Sequence, residues 1–229
     1  MKSFSKPLAV LMLMTTVIFA VGCTPDDPDE PIDDTYVDLG LPSGTLWATC
    51  NLGADTPEGY GDYFAWAETA PKTTYSWSTY KYRCGESDIE QLTKYCNSAD
   101  YGYNGFTDNL TRLEPEDDAA TVILGDEWCM PTYDQWMELF ENTSRSWTKQ
   151  KGVKGLLFTA KNGKELFLPA GGGRFDDSLF YFNVEGLYWT SELYIVCYVS
   201  YFNFNSDYCS LKYGVRCRGY SVRPVRSAR

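Results

Sequence analysis

Histidine is missing from all 229 residues. Its absence removes the commonest metal ligand, the usual general base near neutral pH, and any Ser/His or Cys/His nucleophile arrangement. No CxxC spacing occurs. Positive charge is scarce as well: 20 Lys and Arg face 31 Asp and Glu, a formal net charge of -11. Neither nucleic acid nor an anionic lipid surface suits so acidic a chain. The apolar run from Leu8 to Val21 has fourteen residues, too few to span a bilayer. Gly171, Gly172 and Gly173 precede Arg174, but no GxxxxGK[ST] pattern follows, so this stretch reads as a sharp bend after a strand and not as a phosphate cradle.

What is present is a strongly apolar and aromatic chain, 44% hydrophobic and 16% aromatic, enough for one well-filled core. Lys2 and Lys6 ahead of the apolar run give residues 1–22 the layout of a secretory leader. The run ends in AlaValGlyCys, which resembles a bacterial lipobox and makes Cys23 the expected lipid-carrying residue. Residues 23–35 hold TPDDPDEPIDD, an acidic, proline-rich composition expected of an extended tether. One domain is expected over residues 36–229. Seven cysteines follow Cys23, namely Cys50, Cys84, Cys96, Cys129, Cys197, Cys209 and Cys217. An odd number cannot pair completely, which argues against a disulfide framework. Cys84 with Cys96 is the pair to test first, while Cys50 and Cys129 are expected as buried thiols.

Local patterns place several elements. Tyr36 to Asn51 reads as strand, ProSerGly turn and strand, the second strand carrying Leu46, Trp47 and Cys50. Glu114 to Thr121 puts acidic residues ahead of AlaAlaThrVal, as at a helix N-terminus. Thr132 and Gln135 make a capping box, after which Trp136, Leu139 and Phe140 fall on one helical stripe facing the core. Lys154 to Ala170 reads as a hairpin turning at Asn162 and Gly163.

The C-terminal forty residues carry the strongest alternation. Tyr198, Ser200, Phe202 and Phe204 share one face of a strand, and Val199, Tyr201, Asn203 and Asn205 the other. Large groups on both faces fit a strand buried on both sides. The interleaved Asn, Ser and Asp fit a partly exposed binding surface instead, where Tyr offers stiff amphipathic area. From Leu193 to Arg218, every residue except Lys212 belongs to the types reachable from an Asn codon by changing only its adenines.

The segments LGLPSGTLWATCNLGA, EGYGDYFAWAET, YSWSTYKY, LTKYC, LEPEDDAAT, WCMPT, FLPAGGGR and GYSVRPV occur in an order that resembles the Fibrobacter succinogenes major paralogous domain, common in Bacteroidetes surface lipoproteins. The resemblance covers roughly Tyr36 to Val225. It implies an α+β domain with a C-type-lectin-like fold of the formylglycine-generating-enzyme type: a twisted, mostly antiparallel sheet, two helices and long loops. Within it the Gly-Arg element at Arg174 is expected to pack beneath the C-terminal ribbon, and Cys129 stands where Arg is frequent. The acidic residues after Cys23 loosely resemble a surface-export signal, so an outer-membrane lipoprotein exposed at the cell surface is expected.

Kinship with formylglycine-generating enzymes raises the prospect of a copper-binding cysteine pair. The late cysteines Cys197, Cys209 and Cys217 lie twelve and eight apart, unlike that closely spaced pair. Glu114, Glu116, Asp117 and Asp118, or Asn203, Asn205 and Asp207, offer hard oxygen ligands for calcium. The first group reads more simply as a helix start, and the second lies too far apart along a strand. No EPN or QPD tripeptide of the sugar-binding C-type lectins is present. Neither catalysis nor a cofactor is expected.

Lectin-like domains also serve as the targets of diversity-generating retroelements, which rewrite adenines in a C-terminal segment, and this chain's GYSVRPV ending resembles theirs. On that basis residues 193–218 are expected to present a variable ligand surface formed by Tyr194, Val196, Tyr198, Ser200, Asn203, Tyr208, Cys209, Leu211, Tyr213, Val215 and Cys217. Trp189, Phe204 and Val222 are expected as scaffold beneath it. The partner would be a protein or glycan at the cell surface, contacted by a monomer whose only membrane attachment is its lipid. The competing expectation is a structural or appendage-associated surface lipoprotein without a dedicated ligand, with a copper oxidase third.

Overall fold

The first and last strands among the described residues share one sheet, because both pair with the same short apolar segment between them. In the computed structural model, which describes residues 34–84 and 91–227, β1 (Tyr36–Val37) and β11 (Val225–Ser227) flank β2 (Thr45–Ala48), both antiparallel to it. The expected leader, Cys23 and the expected tether up to residue 33 lie outside the described residues. Asp34 and Thr35, assigned above to the tether, belong to the folded unit: the Thr49 backbone N–H donates to the Thr35 carbonyl at 2.9 Å, and the Thr49 hydroxyl to that of Asp34 at 2.9 Å.

Two further three-stranded antiparallel sheets follow. One joins β3 (Thr143–Gln150), β4 (Val153–Ala160) and β5 (Glu165–Pro169); the other places β9 (Tyr198–Phe204) between β8 (Gly186–Ile195) and β10 (Cys209–Val215). A small hairpin of β6 (Gly173–Phe175) and β7 (Ser178–Phe180) completes the strands. The helices are α1 (Ala119–Leu124) and α2 (Tyr133–Asn142). Among the described residues the architecture is therefore α+β and mostly antiparallel with two α-helices, but its strands form four sheets where a single sheet was expected. No helix among the described residues is long and apolar enough to cross a membrane.

Local chemistry accounts for the elements. Thr132 caps α2 by accepting from the Gln135 N–H at 3.1 Å while the Gln135 side chain accepts from the Thr132 N–H at 2.9 Å, the reciprocal box. Asp118 caps α1, accepting from Ala120 and Thr121. The β4–β5 turn differs in detail from a two-residue Asn-Gly turn. The Gly163 N–H bonds the Ala160 carbonyl and only then does Ala160 donate to Lys164, a three-residue loop with Gly163 at φ 81.

The core lies on both sides of β8 and β9. Trp136 and Leu139 of α2, with Phe158 and Leu168 of the β3–β5 sheet, enclose Phe202 and Phe204 on one side; Trp66, Trp189, Tyr220 and Val222 enclose Val199 on the other. Trp136 stacks on Phe202 with ring centroids 4.7 Å apart and planes 4° apart. A third cluster holds Tyr75, Tyr80, Leu92, Cys96, Val196, Cys197 and Cys217. All seven described cysteines are unbridged; Cys96 is buried, but Cys50 and Cys129 are only partly so, short of the burial expected of them.

Candidate functional site

The register of the C-terminal sheet decides which expected surface residues reach water. β9 is paired along both edges, with Phe204 opposite Cys209, Phe202 opposite Leu211, Ser200 opposite Tyr213 and Tyr198 opposite Val215. Because α2 and the β3–β5 sheet cover the Phe202 and Phe204 side, Cys209 and Leu211 lie partly buried against that core and Ser200 keeps only 5% of its surface. Val196 and Cys217 belong to the third cluster, with Val215 packed against it. The expectation that Val196 and Cys217 face a ligand is therefore corrected: apolar side chains at these positions fill space enclosed by Tyr75, Tyr80, Leu92 and Cys96. Trp189, Phe204 and Val222 are buried scaffold, as read from the sequence.

Asn203 is corrected in a different way, for it is buried on the other face. Its amide donates to Glu185 Oε2 at 3.0 Å and its carbonyl oxygen accepts from the Tyr208 hydroxyl at 2.8 Å, while Lys212 Nζ donates to the same hydroxyl at 2.8 Å. Asn203 and Tyr208 thus line a cleft of about 300 Å³ beside Tyr201 and Arg218. Nearby, Asn205 Oδ1 accepts from the N–H groups of Asp207 and Tyr208, so this Asn and Asp belong to the β9–β10 turn.

What remains open gathers at the far end of the sheet. Tyr194, Tyr198 and Tyr213 are each 43–51% exposed. Tyr194 lies on β8 and Tyr213 on β10, yet their rings stack across the central strand, centroids 3.6 Å apart at 17°. Two features allow this. The ladder of β8 on β9 is irregular between Trp189 and Leu193 and again between Leu193 and Ile195, the kind of bulge that re-aims a side chain. Ser200, the β9 residue opposite Tyr213, is too small to hold the rings apart.

The stacked pair walls a cleft of about 390 Å³ whose other lining residues include Ser200, Tyr133, Arg112 and Glu192. Segment 111–113 is held against β8 by hydrogen bonds from Leu193 N–H to the Thr111 carbonyl and from Leu113 N–H to the Ser191 carbonyl, at 2.8 and 3.0 Å. Glu192 Oε2 accepts the Tyr133 N–H at 2.9 Å, tying its charge to the first turn of α2. Desolvation, with Tyr194 and Tyr133 close by, pushes the Tyr213 hydroxyl above its ordinary value. The cleft thus offers aromatic faces, hydroxyls, the Glu192 carboxylate and the exposed Arg112 guanidinium.

Of the eleven expected residues, Tyr194, Ser200 and Tyr213 meet here, with Tyr198 exposed on the same sheet. Arg112, Tyr133 and Glu192 were missed. Glu192 left a trace, a carboxylate interrupting an apolar strand, and Tyr133 follows a capping Thr; nothing in the pattern around Arg112 pointed to β8.

The acidic group at Glu114, Glu116 and Asp117 is the one cluster among the described residues with convergent metal-ligating atoms. Lys94 already sits in it, its Nζ 2.5, 3.3 and 2.7 Å from these three carboxylates, an internal ammonium where a calcium ion would have to go. Cys209 packs against a different core cluster from Cys197 and Cys217. Comparison with protein-family models, curated proteins and solved structures found no match to this chain.

Proposed function

We propose that this chain is a ligand-binding module of C-type-lectin-like fold, carried as a lipoprotein on the outer membrane and acting as a surface receptor or adhesin, with its recognition site in the cleft walled by Tyr194 and Tyr213. The observation that carries the reading is the stacked, half-exposed tyrosine pair on a sheet whose other large residues are mostly packed away. A rigid aromatic wall loses little entropy on contact and suits either a sugar ring or a protein loop. The ordered motifs from Tyr36 to Val225 and the two-helix antiparallel architecture support the fold assignment.

If residues 193–218 are diversified by a retroelement, variation tolerated by the fold is confined to a few positions. Tyr194, Ile195, Tyr198, Tyr208 and Tyr213 are the exposed large residues of the window. Substitution at Val196, Ser200, Asn203 or Cys217 would alter packing as well as surface.

Binding of the wild-type chain to arrays of glycans and of surface proteins, set beside Tyr194→Ala and Tyr213→Ala, tests the proposal. Each variant is expected to lose binding about ten- to a hundredfold while melting within a few degrees of wild type, since hot-spot tyrosines are worth about 2 kcal/mol. Unchanged binding by both variants would sink it.

A further inference from the structure

A second cleft, of about 470 Å³, opens where residues 61–63 and 71–75 meet β6, and it shares no lining residue with the tyrosine cleft. Its wall is locked. The Tyr63 hydroxyl donates to the Gly171 carbonyl at 2.6 Å; the Tyr75 hydroxyl donates to the Tyr63 carbonyl at 2.5 Å and accepts the Lys72 N–H at 3.1 Å. Gly219 lies so near the Tyr75 ring that a Cβ there would sit 2.7 Å from it. Lys72, one of two cations lining the cleft, is bound to Glu68 at 2.8 Å and to the Thr79 carbonyl at 3.0 Å.

Arg174 is the other cation, and it is uncommitted. Its backbone is clamped, N–H to the Gly219 carbonyl at 2.8 Å and carbonyl from the Gly219 N–H at 3.0 Å, in a strand paired with β7. Its guanidinium lies 5.2 Å over the Tyr63 ring and makes no hydrogen bond or ion pair with any described residue. In a chain with 31 acidic groups to 20 basic ones, that is a cation in ion-pair contact with no carboxylate of the described residues. Held over an aromatic ring and fixed at its Cα, the planar fork is suited to two parallel hydrogen bonds to one carboxylate. Asp62 and Asp177 line the same cleft and are exposed. They repel a polyanion and accept from hydroxyl groups.

We propose that this cleft binds a hexuronic acid, its carboxylate on Arg174 and its hydroxyls donating to Asp62 and Asp177. The chemistry required is one carboxylate on a polyhydroxylated ring, independent of what the tyrosine cleft recognises.

Titration of the full chain with sodium glucuronate, glucose and sodium acetate, followed by calorimetry and by amide chemical shifts, tests it. Glucuronate is expected to bind about tenfold or more tightly than either control and to shift the amides around Arg174 and Gly219. Arg174→Gln should lose that advantage, and Asp177→Asn, whose side chain is exposed, should weaken glucuronate while leaving acetate unchanged. Both variants are checked by melting; if Arg174→Gln is unfolded, the ligand controls and Asp177→Asn decide. Absent glucuronate binding, glucose or acetate binding equal to it, or undiminished binding by a folded Arg174→Gln would overturn the proposal.

Discussion

Arg216 and Arg223 bring full charges to positions with no exposed surface, and oxygens of carbonyl type do most of the work of holding them there. Arg223 donates to Asn51 Oδ1 and to the backbone carbonyls of Ala48, Thr49 and Phe167, between 2.7 and 3.0 Å. Arg216 donates to the Tyr80 hydroxyl and to the carbonyls of Lys94, Tyr95 and Val196. Each arginine satisfies carbonyls of segments distant in sequence, which loops packed against a core otherwise leave unpaired.

Asp117 solves the complementary problem. Burial alone would push its carboxyl up, but hydrogen bonds from Lys94, Tyr82, Lys81 and Tyr95 outweigh that and hold it at about 2. A carboxyl lowered on folding contributes stability that is complete above its unfolded value near 3.8 and is lost as pH falls through about 2. Asp117→Asn should therefore cost about 2 kcal/mol at neutral pH. Its deficit against wild type should shrink between about pH 4 and pH 2 in denaturant melts, and a deficit independent of pH would rule the linkage out.

Among the elements, β8 is the most constrained, since it packs on both sides and its end is re-aimed toward the cleft. Gly186 begins it opposite Phe204, and a Cβ at Gly186 would enter the Phe204 ring. Gly186→Ala should thus destabilise by about 1–3 kcal/mol through overpacking, read as a lower denaturation midpoint at unchanged slope. A neutral outcome would mean that Phe204 moves freely, contrary to its burial. Most elements were legible in local sequence. The box of Thr132 and Gln135, the Trp136 and Leu139 stripe and the hairpin at Gly163 each rest on contacts within a few residues. The irregular end of β8 was not legible, because a bulge depends on the partner strand and leaves alternation nearly intact.

At the scale of the whole molecule, β11 closes the fold. Val225 is buried, pairs with Trp47 of β2, and exchanges 2.9 Å backbone hydrogen bonds with Cys129 in both directions. Deleting residues 225–229 removes that apolar burial and the ladder together, and the melting temperature should fall by at least about 5 °C. An unchanged melt would show that the closing strand contributes little.

Residue types and their spacing determined the α+β class, the two helices, the scaffold tryptophans and the tendency of the C-terminal segment to form strands, since propensity, capping and periodicity act over a few neighbours. Only the tertiary structure decided which aromatic rings meet solvent. Alternation says to which side of a strand a residue points, but what covers that side is supplied by α2, the β3–β5 sheet and loops far away in the chain. That covering buried Val196, Ser200 and Cys217 and left Tyr194 and Tyr213 to meet above them.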